Sequence, residues 1–448
     1  MVAVAADDPE RRVASGQCGC HWMWGREEGA MVPDPRVLVV SSFEAELQPL
    51  ASACVAAALR DAGAVVTAWD AHAFPDLLPD AEVDLVLLSV QQFEGLQRAV
   101  DLAPRLHTAY PGAPVVAFGQ YAQMNSVEFM TLVDAVAFDE PERIAQELYQ
   151  AADGEVPLAQ VPALRTAERF AARPPRRRIA ATAPARDLFP SLVHYPLHHG
   201  PFGLMGNIEV SRGCHHKCTY CSVYGAYDGG VAPYQLETVL ADARQLADEG
   251  VRHFFFIDAE FFNSRSLGVE AVRQIAAEVS GSTFEFTTRV DHILDYPTLL
   301  EELVSLGLRR VTSALEFPSD RILRIFDKGI DVAHMRAAIA EAQRIGFELN
   351  PTFIPFTPWV RYEELLTFED FLIETGLARV VEPTALQTRL LLFKGSPLLR
   401  SPWLADVDLV DRGFHLDWTH PDRRVEGLWQ QRRAEAEGVG AVRCCVKC

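Results

Sequence analysis

The chain has 448 residues, enough for two or three domains, and its 49% hydrophobic and 23% charged content lets it bury full cores. A net charge of -20 argues against a nucleic-acid partner, which would need concentrated Lys and Arg, and no stretch is apolar enough to span a bilayer. The first thirty residues carry acids early and lack a continuous apolar run, so no secretory signal is expected; the expected compartment is the cytoplasm, where the nine cysteines read as metal ligands or free thiols rather than disulfides.

Residues 1–34 show no periodicity and are expected to form a disordered extension, in which Cys18 and Cys20 are incidental. Over 35–152 the pattern alternates. Apolar strands are expected at Arg36–Ser41, Ala64–Trp69, Val83–Val90 and Ala113–Gly119, with helices over Leu47–Ala62, Leu96–Ala109 and Glu140–Ala152. That alternation implies an α/β, doubly wound parallel sheet of Rossmann-like type. Residues 153–195, rich in Pro, Ala and Arg, read as a linker, and the Pro-interrupted run Arg173–Arg178 as a solvated stretch.

Alternation resumes over 196–395. Strands are expected at Gly206–Ser211, His253–Asp258, Glu285–Arg289, Arg310–Glu316, Glu348–Pro355 and Leu386–Phe393, separated by helices such as Tyr234–Glu249, Gly268–Val279 and Val332–Ile345. Six such units fit a partial (β/α)6 barrel, an open relative of the eight-fold barrel. Residues 396–448 form a C-terminal extension with Trp403, Trp418 and Trp429 that ends on Cys444, Cys445 and Cys448. This CCxxC tail is either frayed or a second metal or redox site, with a second iron–sulfur cluster among the options.

The chemistry centres on Cys214, Cys218 and Cys221, a CxxxCxxC loop directly after the expected strand Gly206–Ser211. Soft thiolates select iron–sulfur clusters or zinc. A structural zinc site needs a fourth ligand, which His215 or His216 could nominally supply, but zinc sites usually pair one CxxC with another downstream, and none follows for more than two hundred residues. Three thiolates leave one iron of a 4Fe–4S cubane open.

The motif, with Tyr220 before its last cysteine and Ser211-Arg212-Gly213 before its first, resembles the radical S-adenosylmethionine (SAM) superfamily, and specifically the branch whose members carry cobalamin domains. The resemblance covers roughly residues 196–395. It implies a 4Fe–4S cluster on the three cysteines whose open iron chelates SAM, one-electron cleavage of SAM to methionine and a 5′-deoxyadenosyl radical, and an external donor such as flavodoxin or ferredoxin. It also places Asp258 and Glu260, after the second barrel strand, near the SAM amino group. Glu316, in the fourth-strand segment that continues to Lys328-Gly329, falls near the SAM ribose or the substrate, and Arg289, with Asp291, near the SAM carboxylate. Glu316 and Arg289 are thereby the candidate catalytic residues, and Tyr220, Asp258, Glu260 and Glu316 the candidate cofactor-binding ones.

Residues 35–152 resemble a degenerate cobalamin-binding domain. The family's DxHxxG loop is missing after the first strand, where Ser41–Glu46 stand; His72 follows the wrong strand, and one glycine, Gly119, remains of the usual pair. Cobalamin is therefore expected to be lost. The branch then implies, by resemblance to the group that includes the diol-dehydratase of apramycin-type aminoglycoside biosynthesis, radical dehydration of a paromamine-like aminosugar with a partner reductase. The alternative is a cobalamin-dependent radical SAM methyltransferase of a natural-product pathway. A structural metal-binding protein is the non-enzyme alternative, disfavoured by the strand-end motif.

Overall fold

The structure, a computed structural model, describes residues 34–171, 177–179 and 182–439. The extension, most of the basic run and the tail cysteines Cys444, Cys445 and Cys448, like Cys18 and Cys20, lie outside the described residues.

The N-terminal region is a six-stranded sheet whose first five strands are parallel: Arg36–Ser41, Val65–Asp70, Leu85–Ser89, Val115–Phe118 and Ala135–Ala137. The strand order is second, first, third, fourth, fifth, which puts the reversal between the first and third strands. Crevices at such a reversal, outside the carboxyl ends of the strands, are where open α/β sheets take ligands. Period-two burial explains the layering: Val37, Val39, Leu85 and Leu87 face one helical layer, and Leu38, Val40, Val86 and Leu88 the other. Helix Leu50–Asp61 is buried almost all round because Val55 and Leu59 pack on this sheet while Leu50 and Cys54 join the core of the following region.

The expected linker is partly structured: Leu164–Thr166 pairs antiparallel with Ala135–Ala137 and closes the edge of the first sheet. The second sheet is a curved, open half-barrel of five parallel strands, Gly203–Ile208, His253–Phe256, Thr283–Thr287, Leu308–Glu316 and Glu348–Phe353, with the short hairpin strand His199–Gly200 at its edge. The sixth expected strand, Leu386–Phe393, is a correction. Its backbone makes one parallel bridge, Phe356 with Arg389, and then Leu392–Phe393 leaves to pair antiparallel with His415–Trp418 in a separate three-stranded sheet. One continuous apolar core lies beneath the half-barrel, dense in aromatics such as Phe254, Phe256, Phe284 and Phe286. Among the described residues no helix is long and apolar enough to cross a membrane.

Candidate active site

The cysteine loop is tied down from every side. After Ile208 the chain turns at Asp258, which is fully buried and accepts from the N–H groups of Val210 (3.0 Å) and Ser211 (2.7 Å) and from the Ser211 hydroxyl (2.8 Å). Ser211–Gly213 then forms a small antiparallel ribbon with Val231–Pro233. Gly213 sits at φ +93° against the carbonyl of Gly230, where a Cβ would collide, so only glycine lets the two strands close. Asn263 brackets the first cysteine, accepting from the His215 N–H (3.2 Å) and donating to the Gly213 carbonyl (3.2 Å). On the far side the Thr219 N–H donates to Phe326 O (3.1 Å), and the Thr219 carbonyl accepts from Leu398 N–H (2.9 Å).

This cradle holds Cys214, Cys218 and Cys221 unpaired and largely buried. Burial, then the neighbouring Cys218, pushes the Cys221 thiol up to about 12, and burial likewise raises Cys214. Thiols so placed gain little as thiolates unless a cation binds them. Three soft donors on one short loop fit a 4Fe–4S cluster with one iron open. His216 instead packs on His292, with ring centres 5.3 Å apart.

Tyr220 and Glu316 come together, with Lys328 as third member. The Tyr220 hydroxyl donates to Glu316, while the buried Lys328 Nζ lies 2.8 Å from Glu316 Oε1 and 3.2 Å from the Tyr220 oxygen. Glu316 holds this position at φ +64°, a left-handed conformation that a non-glycine residue adopts at a cost, at a register shift in the strand pairing. Burial and the Glu316 charge push the Tyr220 phenol up, so it stays a donor.

Asp258 and Glu260 both have partners within the protein. Asp258 braces the entry to the cysteine loop, as above. Glu260, also buried, accepts from Phe262 N–H (3.1 Å), Arg289 N–H (2.7 Å) and the Thr288 hydroxyl (2.6 Å) and pairs with His292 (3.1 Å). Burial alone would raise its carboxyl; those partners outweigh it and hold the group below its ordinary value. Both carboxylates are thus held by backbone N–H groups and by neighbouring side chains. Arg289 is committed too: Nε and Nη2 bind Asp291 (both 2.9 Å), Nη2 donates to Lys328 O (2.6 Å), and Nη1 points at Cys218 Sγ (3.5 Å).

Arg212 had no role in the sequence reading. Its guanidinium meets Glu209 (3.0 Å) from its own loop and Glu140 and Glu142 (both 2.8 Å) from the N-terminal region, all buried. Three carboxylates on one cation leave excess negative charge. Burial pushes Glu209 up to about 8, which lets it carry a proton at neutral pH. The Ser-Arg-Gly triplet before the cysteines was the available signal; the partners, some seventy residues away, were not.

The seam between the two sheets is where a corrin would lie, against the carboxyl ends of the first and third strands. It holds a cleft of about 120 Å³ lined by Glu44, Gln91, Gln92 and Gln120 on one side and Asn207, Glu209 and Arg212 on the other. Sites for drug-sized ligands run to about 300–1,000 Å³, so a corrin would need the side chains that line this cleft to move apart. Glu44 lines it and accepts from the hydroxyls of Ser52 (2.6 Å) and Ser89 (2.9 Å) and the Ala51 N–H (2.9 Å). Gly119 serves its own fold: at φ +102° its absent Cβ would stand 2.7 Å from the Val90 carbonyl. His72 packs edge-on against Phe43 at 4.8 Å.

Residues 208–372 match the radical SAM superfamily profile. Among curated proteins the chain is similar to a hopanoid C-3 methylase from Methylococcus capsulatus (23% identity, 73% of this chain, 64% of the relative) and to a ribosomal protein uS12 methylthiotransferase, RimO, from Escherichia fergusonii (25%, 39% and 43%). It therefore spans less than two-thirds of either relative. Among solved structures it is similar to the cobalamin-dependent SAM radical enzyme OxsB with aqua-cobalamin bound (TM-score 0.71, 16% identity, 90% of this chain, 67% of that one). It is also similar to the radical SAM methyltransferase TsrM from Kitasatospora setae (TM-score 0.67, 18%, 81% and 75%). Residues 208–372 thus carry a radical SAM superfamily segment, and the chain has the fold of these solved structures, a Rossmann-like N-terminal sheet followed by an open barrel.

Proposed function

We propose that this enzyme abstracts a hydrogen atom from a small-molecule substrate seated at the carboxyl ends of the barrel strands, and that the abstraction prepares the substrate for methyl transfer. The observation that carries the first part is the braced loop of Cys214, Cys218 and Cys221, with the Tyr220–Glu316–Lys328 triad beside it. When bound, the cluster and SAM supply a one-electron cleavage that yields the hydrogen-abstracting radical. The chain's own residues then have defined tasks. Asp258, Asn263 and Thr219 fix the loop, Lys328 orients Glu316, and the Tyr220 hydroxyl holds its proton toward Glu316 Oε1. Electrons come from an external low-potential flavin or iron–sulfur protein.

Methyl transfer is favoured as the finer reaction because relatives across both sequence and structure are a methylase and a methyltransferase. The aminosugar dehydration expected from the sequence, with its partner reductase, finds no counterpart among those proteins. It keeps one specific observation, the small acid-lined seam, since a dehydratase would not need cobalamin there. The two readings part on whether that seam admits a corrin. Anaerobically reconstituted protein is to be titrated with hydroxocobalamin and assayed for SAM cleavage under reductant. SAM cleavage with tight cobalamin binding supports methyl transfer; cleavage without cobalamin binding sinks it and leaves the dehydratase. No cleavage at all would overturn both.

A further inference from the structure

The strand end that the resemblance assigns to the SAM carboxylate carries a guanidinium whose Nε and Nη2 are already held within the protein. Arg289 is 11% exposed. Nε and Nη2 grip Asp291, Nη2 also donates to the Lys328 carbonyl, and the remaining nitrogen, Nη1, lies 3.5 Å from Cys218 Sγ within hydrogen-bonding geometry. The backbone is equally fixed, because the Arg289 N–H donates to buried Glu260. An arginine held this firmly by three partners is aimed, not searching.

We propose that Arg289 is a positioning residue for electron uptake: its Nη1–H donates to the Cys218 thiolate and raises the reduction potential of the cluster that the three cysteines hold. The inference rests on the radical SAM reading only in requiring that a cluster forms. The physical reason is that one-electron reduction adds negative charge to the cluster and its sulfurs. An N–H dipole directed at a ligating sulfur stabilises the reduced form more than the oxidised one. Asp291 neutralises most of the net charge of Arg289, so the directional N–H···S contact does the tuning. Lys328, the other nearby cation, has its Nζ on Glu316 and Tyr220. The electron arrives from the external flavin or iron–sulfur donor, and no proton or bond change accompanies it.

The test uses the full chain, reconstituted anaerobically and without SAM, with the cluster's reduction followed by electron paramagnetic resonance against applied potential. Iron content and visible absorbance first establish that Arg289→Gln carries the same cluster as wild type. The expected result is a midpoint lowered enough to cut the reduced fraction about tenfold at a fixed potential, which is about 59 mV for one electron. Arg289→Lys, which can still donate to sulfur, should recover part of that shift. A full cluster with an unchanged midpoint overturns the proposal, and weakened SAM binding alone would return Arg289 to the SAM carboxylate. Should Arg289→Gln fail to assemble, wild-type protein labelled with nitrogen-15 arginine gives the second reading. A labelled nitrogen coupled to the reduced cluster in pulsed resonance supports the contact, and its absence overturns it. Failure of wild type to form any cluster would instead count against the functional reading.

Discussion

Two parallel sheets in this molecule present their carboxyl edges to one another, and they use them in opposite ways. The half-barrel edge keeps its chemistry available: three unpaired thiols, a strained Glu316, and an arginine aimed at sulfur. The N-terminal edge has been closed by its own side chains, with Glu44 seated on serines and Gln120 donating to the Gln91 carbonyl at 2.7 Å. Its remaining charges, Glu140 and Glu142, reach across to Arg212 at the root of the cysteine loop. The difference teaches that an edge suited to binding by topology can be converted into a support for a neighbour. In this chain the first sheet holds the loop that the second sheet uses.

The most severe way to break the comparison is at the thiols. Cys218→Ala removes one of three ligands and should abolish both the visible absorbance of the cluster and SAM cleavage, while the N-terminal sheet stays folded. A cysteine variant that still cleaves SAM at a tenth of the wild-type rate would remove the basis for placing the chemistry on this edge. Next in size is the support. Arg212→Ala strands the buried Glu140 and Glu142 and should cost about 3–5 kcal/mol, as the loss of one partner of a buried pair does, read as a drop in the urea midpoint. Arg212→Lys keeps the charge but not the planar fork, so only part of that loss should return. If Arg212→Ala unfolds no more easily than wild type, the N-terminal edge is not a support.

How much of this was legible follows from the range of the signals involved. Long apolar runs gave their strands to within a residue or two, as at Arg36–Ser41, and the three-four pattern gave helix Val332–Ile345 as observed. Cys214, Cys218 and Cys221 were readable because their spacing is local. Leu164–Thr166 was hidden in a Pro- and Ala-rich stretch, since three residues are too few to show a period. The sixth barrel strand failed for a different reason: Thr388–Leu390 touches the sheet through one bridge before Lys394 and the segments around it draw the chain into another sheet. Asp258 and Glu260 were found as acids at strand ends, but their partners are backbone N–H groups that no side-chain pattern announces. Arg212 and its glutamates were the least legible, joined across 72 residues by folding alone.

The smallest expected effect tests the seam from its other end, where the first barrel strand meets the N-terminal region at His198. The ring is fully buried; Nδ1–H donates to the Met205 carbonyl (2.6 Å) and Nε2 accepts from the Gln48 N–H (2.8 Å). Both bonds require the neutral ring, and burial pulls its pKa down from 6.5 to about 4. The sign follows. The folded state binds this proton more weakly than the unfolded chain, so the contribution is complete above pH 6.5 and is lost as pH falls through 6.5 toward 4. Between pH 7.5 and pH 5 the loss is about 2 kcal/mol from this group. Protonation would turn an acceptor into a donor facing the Gln48 N–H. That repulsion would loosen the contact by which the N-terminal region holds the root of the barrel. Urea midpoints at the two pH values should therefore fall more steeply for wild type than for His198→Gln, whose amide cannot gain the proton. Equal slopes would mean that His198 gives the seam no pH-dependent share of its stability.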